Sequence, residues 1–217
     1  MAFNLNSQLF SSPAGRRWLF GLLYLSEGAP MGFIWWALPA LLTKRGIDLA
    51  EVAALSSLLT LPWVFKFLMG PVIDFAVARG FHLRNFIITC QIMMGLMLLI
   101  LAPIDWADSY GVLTIALFLH GCFAATQDVG IDALAIRTVP PDELGKINGW
   151  MQTGMLGGRA LAAASVVTLV SNGYQSVALG LVIALIWLPM LALYIAHPDD
   201  SLTHSEDSAA DNAERFS

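Results

Sequence analysis

The chain has 217 residues, of which 57% are hydrophobic and only 12% charged, with a formal net charge of −5. Soluble domains carry about 25% charged residues. Half that supply, with a mean hydropathy of +0.69, argues against a soluble enzyme, a nucleic-acid binder or a disordered chain, and predicts an integral membrane protein.

A bilayer-crossing helix needs about 20 mainly apolar residues. In chain order the pattern predicts six such helices, over 18–43, 49–73, 85–104, 110–136, 146–171 and 176–196. Residues 1–17 would form a cytoplasmic N-terminal segment. Helix 1 follows Arg16 and Arg17 as a signal peptide would. Its apolar run is too long for one, contains Glu27, and has no small-x-small cleavage site close behind it. It is therefore read as a retained span. Residues 85–104 and 109–127 carry no Asp, Glu, Lys or Arg. The uncharged stretch 160–198 is too long for one span, and Asn172-Gly173-Tyr174-Gln175 divides it.

Lys and Arg in the short loops set orientation. Arg16, Arg17, Arg79, Arg84, Arg137 and Lys146 fall on one side, Lys44 and Arg45 on the other. This predicts cytoplasmic N- and C-termini. Residues 197–217 hold six acids, Arg215 and few large apolar side chains, and are expected to form a disordered, linker-like cytoplasmic tail. That tail carries the whole net charge, so the span-bearing part is neutral overall. Cys90 and Cys122 lie in apolar runs and are read as packing residues. Trp18, Trp35, Trp36 and Trp106 lie near span ends, where an interfacial aromatic belt is expected.

Five ionisable residues fall inside predicted spans: Glu27, Lys66, Asp128, Asp132 and Arg159. An unpaired charge at a span centre costs about 2.5–3.5 kcal/mol, and such residues are functional by default. They occupy helices 1, 2, 4 and 5, which are expected to face a polar interior, while helices 3 and 6 face lipid or pack peripherally. At about 1.5 Å rise per residue, Glu27, Lys66 and Asp128 reach one level near the midplane. Asp132 shares a face with Asp128 at spacing i, i+4, and Arg159 sits further from the basic side. Three acids and two bases leave one carboxyl over if each base neutralises one acid. A surplus carboxyl in a low-dielectric site can load and release a proton, so proton coupling through Asp128 or Glu27 is expected.

Glu27 is followed by Gly28-Ala29-Pro30 and then Gly32, and Pro62 interrupts helix 2. Both prolines predict kinks. Gly154-x-x-x-Gly158 predicts close helix packing. His120 is read as a hydrogen-bonded packing residue. There is no His-Glu-x-x-His metal site and no Gly-x-Ser-x-Gly elbow. The expectation is a non-enzyme without cofactor or metal.

Four segments resemble the major facilitator superfamily. Gly70-Pro71-Val72-Ile73-Asp74, continuing to Arg79-Gly80 and Arg84, is similar to the superfamily's loop motif after helix 2. Ala125-Thr126-Gln127-Asp128-Val129-Gly130-Ile131-Asp132 on helix 4 resembles the AmpG-like branch, which includes muropeptide permeases, acetyl-CoA transporters and siderophore-uptake relatives. Leu61-Pro62-Trp63-x-x-Lys66 and Leu23-Tyr24-Leu25-x-Glu27-Gly28-x-Pro30 resemble the same branch, whose members often have glutamine at the position of Glu27.

The resemblance covers about residues 18–196. It implies an all-α membrane protein of six transmembrane helices, one half of a major-facilitator-type secondary transporter, with its cavity lined by helices 1, 2, 4 and 5. The path for a polar or anionic solute would be lined by Glu27, Lys66, Gln127, Asp128, Asp132 and Arg159. Asp74, near Gly70, would form a conformational charge cluster with Arg84 and Arg137. The expected partners are the lipid bilayer of a bacterial inner membrane, a small-molecule solute and a second six-helix half. That half would be another copy or a separate chain. The rival reading is a non-transporting six-helix module that assembles with such a partner.

Overall fold

The computed structural model describes residue 10 and residues 12–195, so the acidic tail and most of the first eleven residues lie outside the described part. Every regular element within it is helical. Helix α1 runs as Pro13–Met31, a π-helical turn Gly32–Ala37, and Leu38–Lys44. Ser12 caps its start by accepting from the Gly15 N–H at 3.0 Å. Helix α2 runs as Leu49–Val64, a 3-10 turn Lys66–Leu68, and Met69–Ala78, with Asp48 as N-cap. Then follow α3 (Leu83–Ile100), α4 (Tyr110–Thr138), α5 (Leu144–Ser171) and α6 (Gln175–Ile195). Helices α2 to α6 are each long and apolar enough to cross a membrane. Within α1 the segment 18–43 is charged only at Glu27, and it supplies the sixth span.

Both expected kinks appear as changes of helix type. Pro30 removes a backbone donor inside α1, and the π-helical turn begins two residues later. Pro62 lies inside α2, which slips into 3-10 geometry at Lys66. Gly70 and Asp74 stand on the helix that resumes at Met69, not in a loop as expected; the connection is only 79–82. Pro71 falls in the first turn of that segment, where its missing N–H leaves no intrahelical bond unmade. Helix α3 stops at Ile100, short of the expected 104.

The turn after it is tied by Asp105, which accepts from the Ala107 N–H at 2.8 Å and the Asp108 N–H at 3.2 Å. These bonds, Ala107's first, hold the Asp105 carboxyl below its usual range, with Arg45 assisting. Trp106 is fully buried against Phe33 and donates to the Leu101 carbonyl at 3.1 Å. It is therefore a core residue and not part of an interfacial belt. Trp18 and Trp36 are exposed, as a belt requires.

Helices α1 and α5 touch along their backbones. A Cβ at Gly154 would strike the Gly21 carbonyl oxygen, one at Gly28 the Met155 carbonyl, and one at Gly32 the Arg159 carbonyl. Small residues on both helices thus allow the close approach that drives association in lipid. Gly28 and Gly32 serve this contact as well as the bend. Two apolar clusters fill the bundle. One gathers Phe20, Leu23, Ile87, Ile131 and Leu134 toward the basic end. The other gathers Phe33, Leu42, Met94, Leu98, Trp106 and Leu117 toward the opposite end. The positions between them in sequence (Ser26 and Glu27 on α1, Gln91 on α3, Gln127 and Asp128 on α4) form a polar layer.

Candidate functional site

The polar layer brings Lys66 and Asp128 together. The Lys66 ammonium lies 2.5 Å from Asp128 Oδ2. Asp128 is enclosed, with 6% of its side chain exposed, whereas Lys66 is 43% exposed. The break in α2 at Lys66 carries this side chain toward α4. One turn along α4, Asp132 accepts a hydrogen bond from the Tyr24 hydroxyl at 2.5 Å. Glu27 is 1% exposed and lies against the Asp128 carboxyl, within reach of a shared hydrogen bond when either acid is protonated, with Asp132 and Lys66 nearby; its oxygens meet no other donor. The expected shared level of Glu27, Lys66 and Asp128 is thus met in the structure.

Gln127 behaves differently. It is fully buried, and its amide donates to Ser26 Oγ at 3.0 Å. Gln91 on α3 donates to the same oxygen at 3.0 Å, and Ser26 donates onward to the Leu23 carbonyl at 2.6 Å. Ser26 is therefore a junction between α1, α3 and α4. Sequence reasoning missed Ser26, Gln91 and the pairing of Tyr24. A lone polar residue in an apolar run was the available signal for Gln91.

Arg159 stands apart from the carboxyl cluster. Its guanidinium donates to Met31 Sδ at 3.2 Å and lies 5.9 Å from the Trp36 ring centroid. None of the ion pairs among the described residues includes it. Its buried Nε has no partner. Arg159 opens instead onto a cavity of about 320 Å³, lined also by Met31, Trp35, Trp36, Thr60 and Trp63. This groove is bounded by α1, α2 and α5. A smaller cavity of about 20 Å³ lies beside it, shares Met31, Trp35 and Trp63 as walls, and is bordered by Glu27 and His120.

At the basic end, Arg137 pairs with Asp74 at 3.7 Å, joining α4 to α2. The Arg84 guanidinium lies 5.9 Å from the Tyr194 ring centroid. Arg16 pairs with Glu143 at 2.8 Å, tying α1 to the start of α5. The arrangement provides a half-open ion pair, a second buried carboxyl beside it and a separate cation in an aromatic groove. Such a site can bind an anion, exchange ion-pair partners and hold a proton.

The Major Facilitator Superfamily profile matches residues 20–215. A Schizosaccharomyces pombe protein named only as uncharacterized is 29% identical over 57% of this chain and 25% of its own length. A Haemophilus influenzae protein, likewise uncharacterized, is 26% identical over 76% of this chain and 40% of its own. A Rickettsia felis protein named "Putative transporter AmpG 1" is 27% identical over 92% of this chain and 49% of its own. The chain thus spans about half the length, or less, of the curated relatives it matches. No solved structure matches it. With six apolar helices in the bundle and this match across most of its length, the chain belongs to the major facilitator superfamily, as a multi-pass, AmpG-like member.

Proposed function

We propose that this chain forms one wall of a secondary transporter that moves a polar or anionic organic solute across a bacterial inner membrane together with protons. A muropeptide, a siderophore or an acyl-CoA is the class of solute meant. The observation that carries the reading is the Lys66–Asp128 pair, open to solvent on its lysine side, beside the buried Glu27 carboxyl. Lys66 and Arg159 attract the solute's negative groups. Asp128, when its lysine turns to the solute, or Glu27 takes up the proton. Asp132 is held by Tyr24 and sets the field around both, while Gln127 stiffens the layer through Ser26.

Asp74 and Arg137, near Gly70, clasp α2 to α4 on the basic, cytoplasmic side in one conformation of the cycle, while Arg84 packs over Tyr194 on α6. The groove bounded by α1, α2 and α5 is one side of a pathway that a second six-helix unit would close, and relatives with about twice the matched length are consistent with that. The exposed faces of α2 and α5, which include Phe65, Phe67, Phe75 and Leu156, also favour the narrower reading of an assembly module with no transport of its own.

Uptake of the three solute classes into membrane vesicles with an imposed pH gradient tests the proposal. Gradient-driven uptake lost in both Glu27→Gln and Asp128→Asn supports it. Uptake that ignores the gradient and survives both substitutions together rejects the proton coupling. Uptake by vesicles holding this chain without any second unit would reject the assembly-module reading.

A further inference from the structure

We infer that Glu27 and His120 share one water molecule in the small cavity between α1, α2 and α4, and that this water passes a proton between the carboxyl and the imidazole. The inference deepens the proton-coupled reading by assigning the place where the proton rests.

His120 is 1% exposed, and its Nδ1 lies 3.0 Å from the Met94 carbonyl oxygen on α3. A carbonyl oxygen only accepts, so Nδ1 carries the hydrogen. That leaves Nε2 as the position that is either bare or protonated, and Nε2 is buried with no partner. Both Glu27 oxygens likewise meet no donor other than a protonated Asp128 beside them. Buried polar atoms are otherwise nearly always hydrogen-bonded. Three orphaned atoms on two residues bordering one cavity call for a shared explanation.

The cavity supplies it. Its volume is about 20 Å³. A site needs about 10–15 Å³ of such volume to hold a water, and needs polar partners for it. One water fits, and Glu27 and His120 are its polar partners. The rest of the lining is Pro30 with apolar, aromatic and small residues, Trp35 and Trp63 among them. Those two tryptophans and Met31 also wall the open groove at Arg159. The water therefore lies beside the groove, against Glu27 and His120.

The transfer balances without any other reactant. The carboxylic O–H of Glu27 breaks and its proton joins the water, while the water's other proton forms the N–H bond at Nε2. The acid and neutral imidazole become a carboxylate and an imidazolium, and the pair's net charge is unchanged. The ionisable groups facing Glu27 are Tyr24 on α1, Lys66 on α2, and Asp128 and Asp132 on α4, while Arg159 on α5 opens onto the neighbouring groove. From α3 the neighbours are Gln91 and Met94. From α6 the Trp187 indole donates to the Gln91 backbone carbonyl at 3.0 Å.

Infrared spectroscopy of the full chain in lipid nanodiscs tests this without any solute. One carboxylic-acid C=O band should vanish in Glu27→Gln. That band should shift in His120→Asn, whose amide keeps the bond to Met94 but removes the Nε2 position. It should return toward its original frequency in His120→Gln, which restores an acceptor there. If no band is lost in Glu27→Gln, or the band stays in place in His120→Asn, the inference is overturned. Because the readout needs no transport, loss of gradient-driven uptake would leave it standing, and the reverse also holds.

Discussion

The Lys66–Asp128 pair is unequally buried, and this predicts unequal costs for breaking it from either side. Lys66→Met leaves the enclosed Asp128 carboxylate uncompensated beside Glu27 and Asp132. Removing one partner of a buried pair costs about 3–5 kcal/mol. Solvent reaches the lysine side, which is 43% exposed, so about 2–3 kcal/mol is expected. Asp128→Asn leaves an ammonium that can turn to water, and exposed pairs contribute about 1 kcal/mol or less. For a chain of this size each kcal/mol moves the melting temperature by about 2–4 °C. Thermal unfolding in nanodiscs should therefore show a drop of roughly 4–12 °C for Lys66→Met and roughly 2–4 °C at most for Asp128→Asn. The double variant should recover most of the larger loss, because no buried charge is left unpaired. An Asp128→Asn cost equal to that of Lys66→Met, or a double variant no better than Lys66→Met, would refute the assignment of Asp128 as the enclosed partner.

Four further outcomes are expected. Gly154→Ala should destabilise the bundle by about 1–3 kcal/mol, the usual cost of overpacking, whereas Gly157→Ala, whose added Cβ meets nothing within 4 Å, should be nearly neutral in the same melts. Ser26→Ala should cost about 1–3 kcal/mol for each amide it orphans on Gln91 and Gln127, and replacing all three residues by apolar ones should restore part of that stability. Asp74→Asn should slow transport while leaving the melting temperature unchanged within a degree or two, since an exposed pair is worth about 1 kcal/mol or less; normal transport by that variant would count against the clasp. The Asp105 carboxyl is depressed in the folded state, so its contribution is present above the ordinary value of 3.8 and is lost as pH falls below it. Hydrogen exchange at the Ala107 and Asp108 amides should accelerate in that acid window, and Asp105→Ala should accelerate it already at neutral pH.

The spans were legible because a long uncharged run has few alternatives to crossing a bilayer. Their ends were not, where tertiary contacts rule. Helix α2 runs on to Ala78 because Pro71 is harmless in a first turn, a fact invisible until the break at Lys66 restarts the helix. Trp106 looked like a belt residue by its position and is a core residue because the turn folds back on Phe33. A shared level for Glu27, Lys66 and Asp128 followed from helical rise alone, and Lys66 and Asp128 are in contact. Arg159 shows the limit of charge counting. Rise along α5 put it further out, yet nothing in one sequence said that it would meet Met31 and Trp36 in place of a carboxylate. The Ser26 junction needed three helices brought together, and no spacing within any one of them encodes it.

On the proposed reading the groove bounded by α1, α2 and α5 is a water-filled solute path and not a lipid-facing surface. Single cysteines at Trp36 and Thr60, both exposed and both lining the groove, should react with a membrane-impermeant maleimide in native membranes, in a background lacking Cys90 and Cys122. Cysteines at Leu99 and Leu188, equally exposed on α3 and α6, should stay unlabelled. Rapid labelling at the first two positions alone is the predicted result. Equal protection, or equal labelling, at all four would contradict the account.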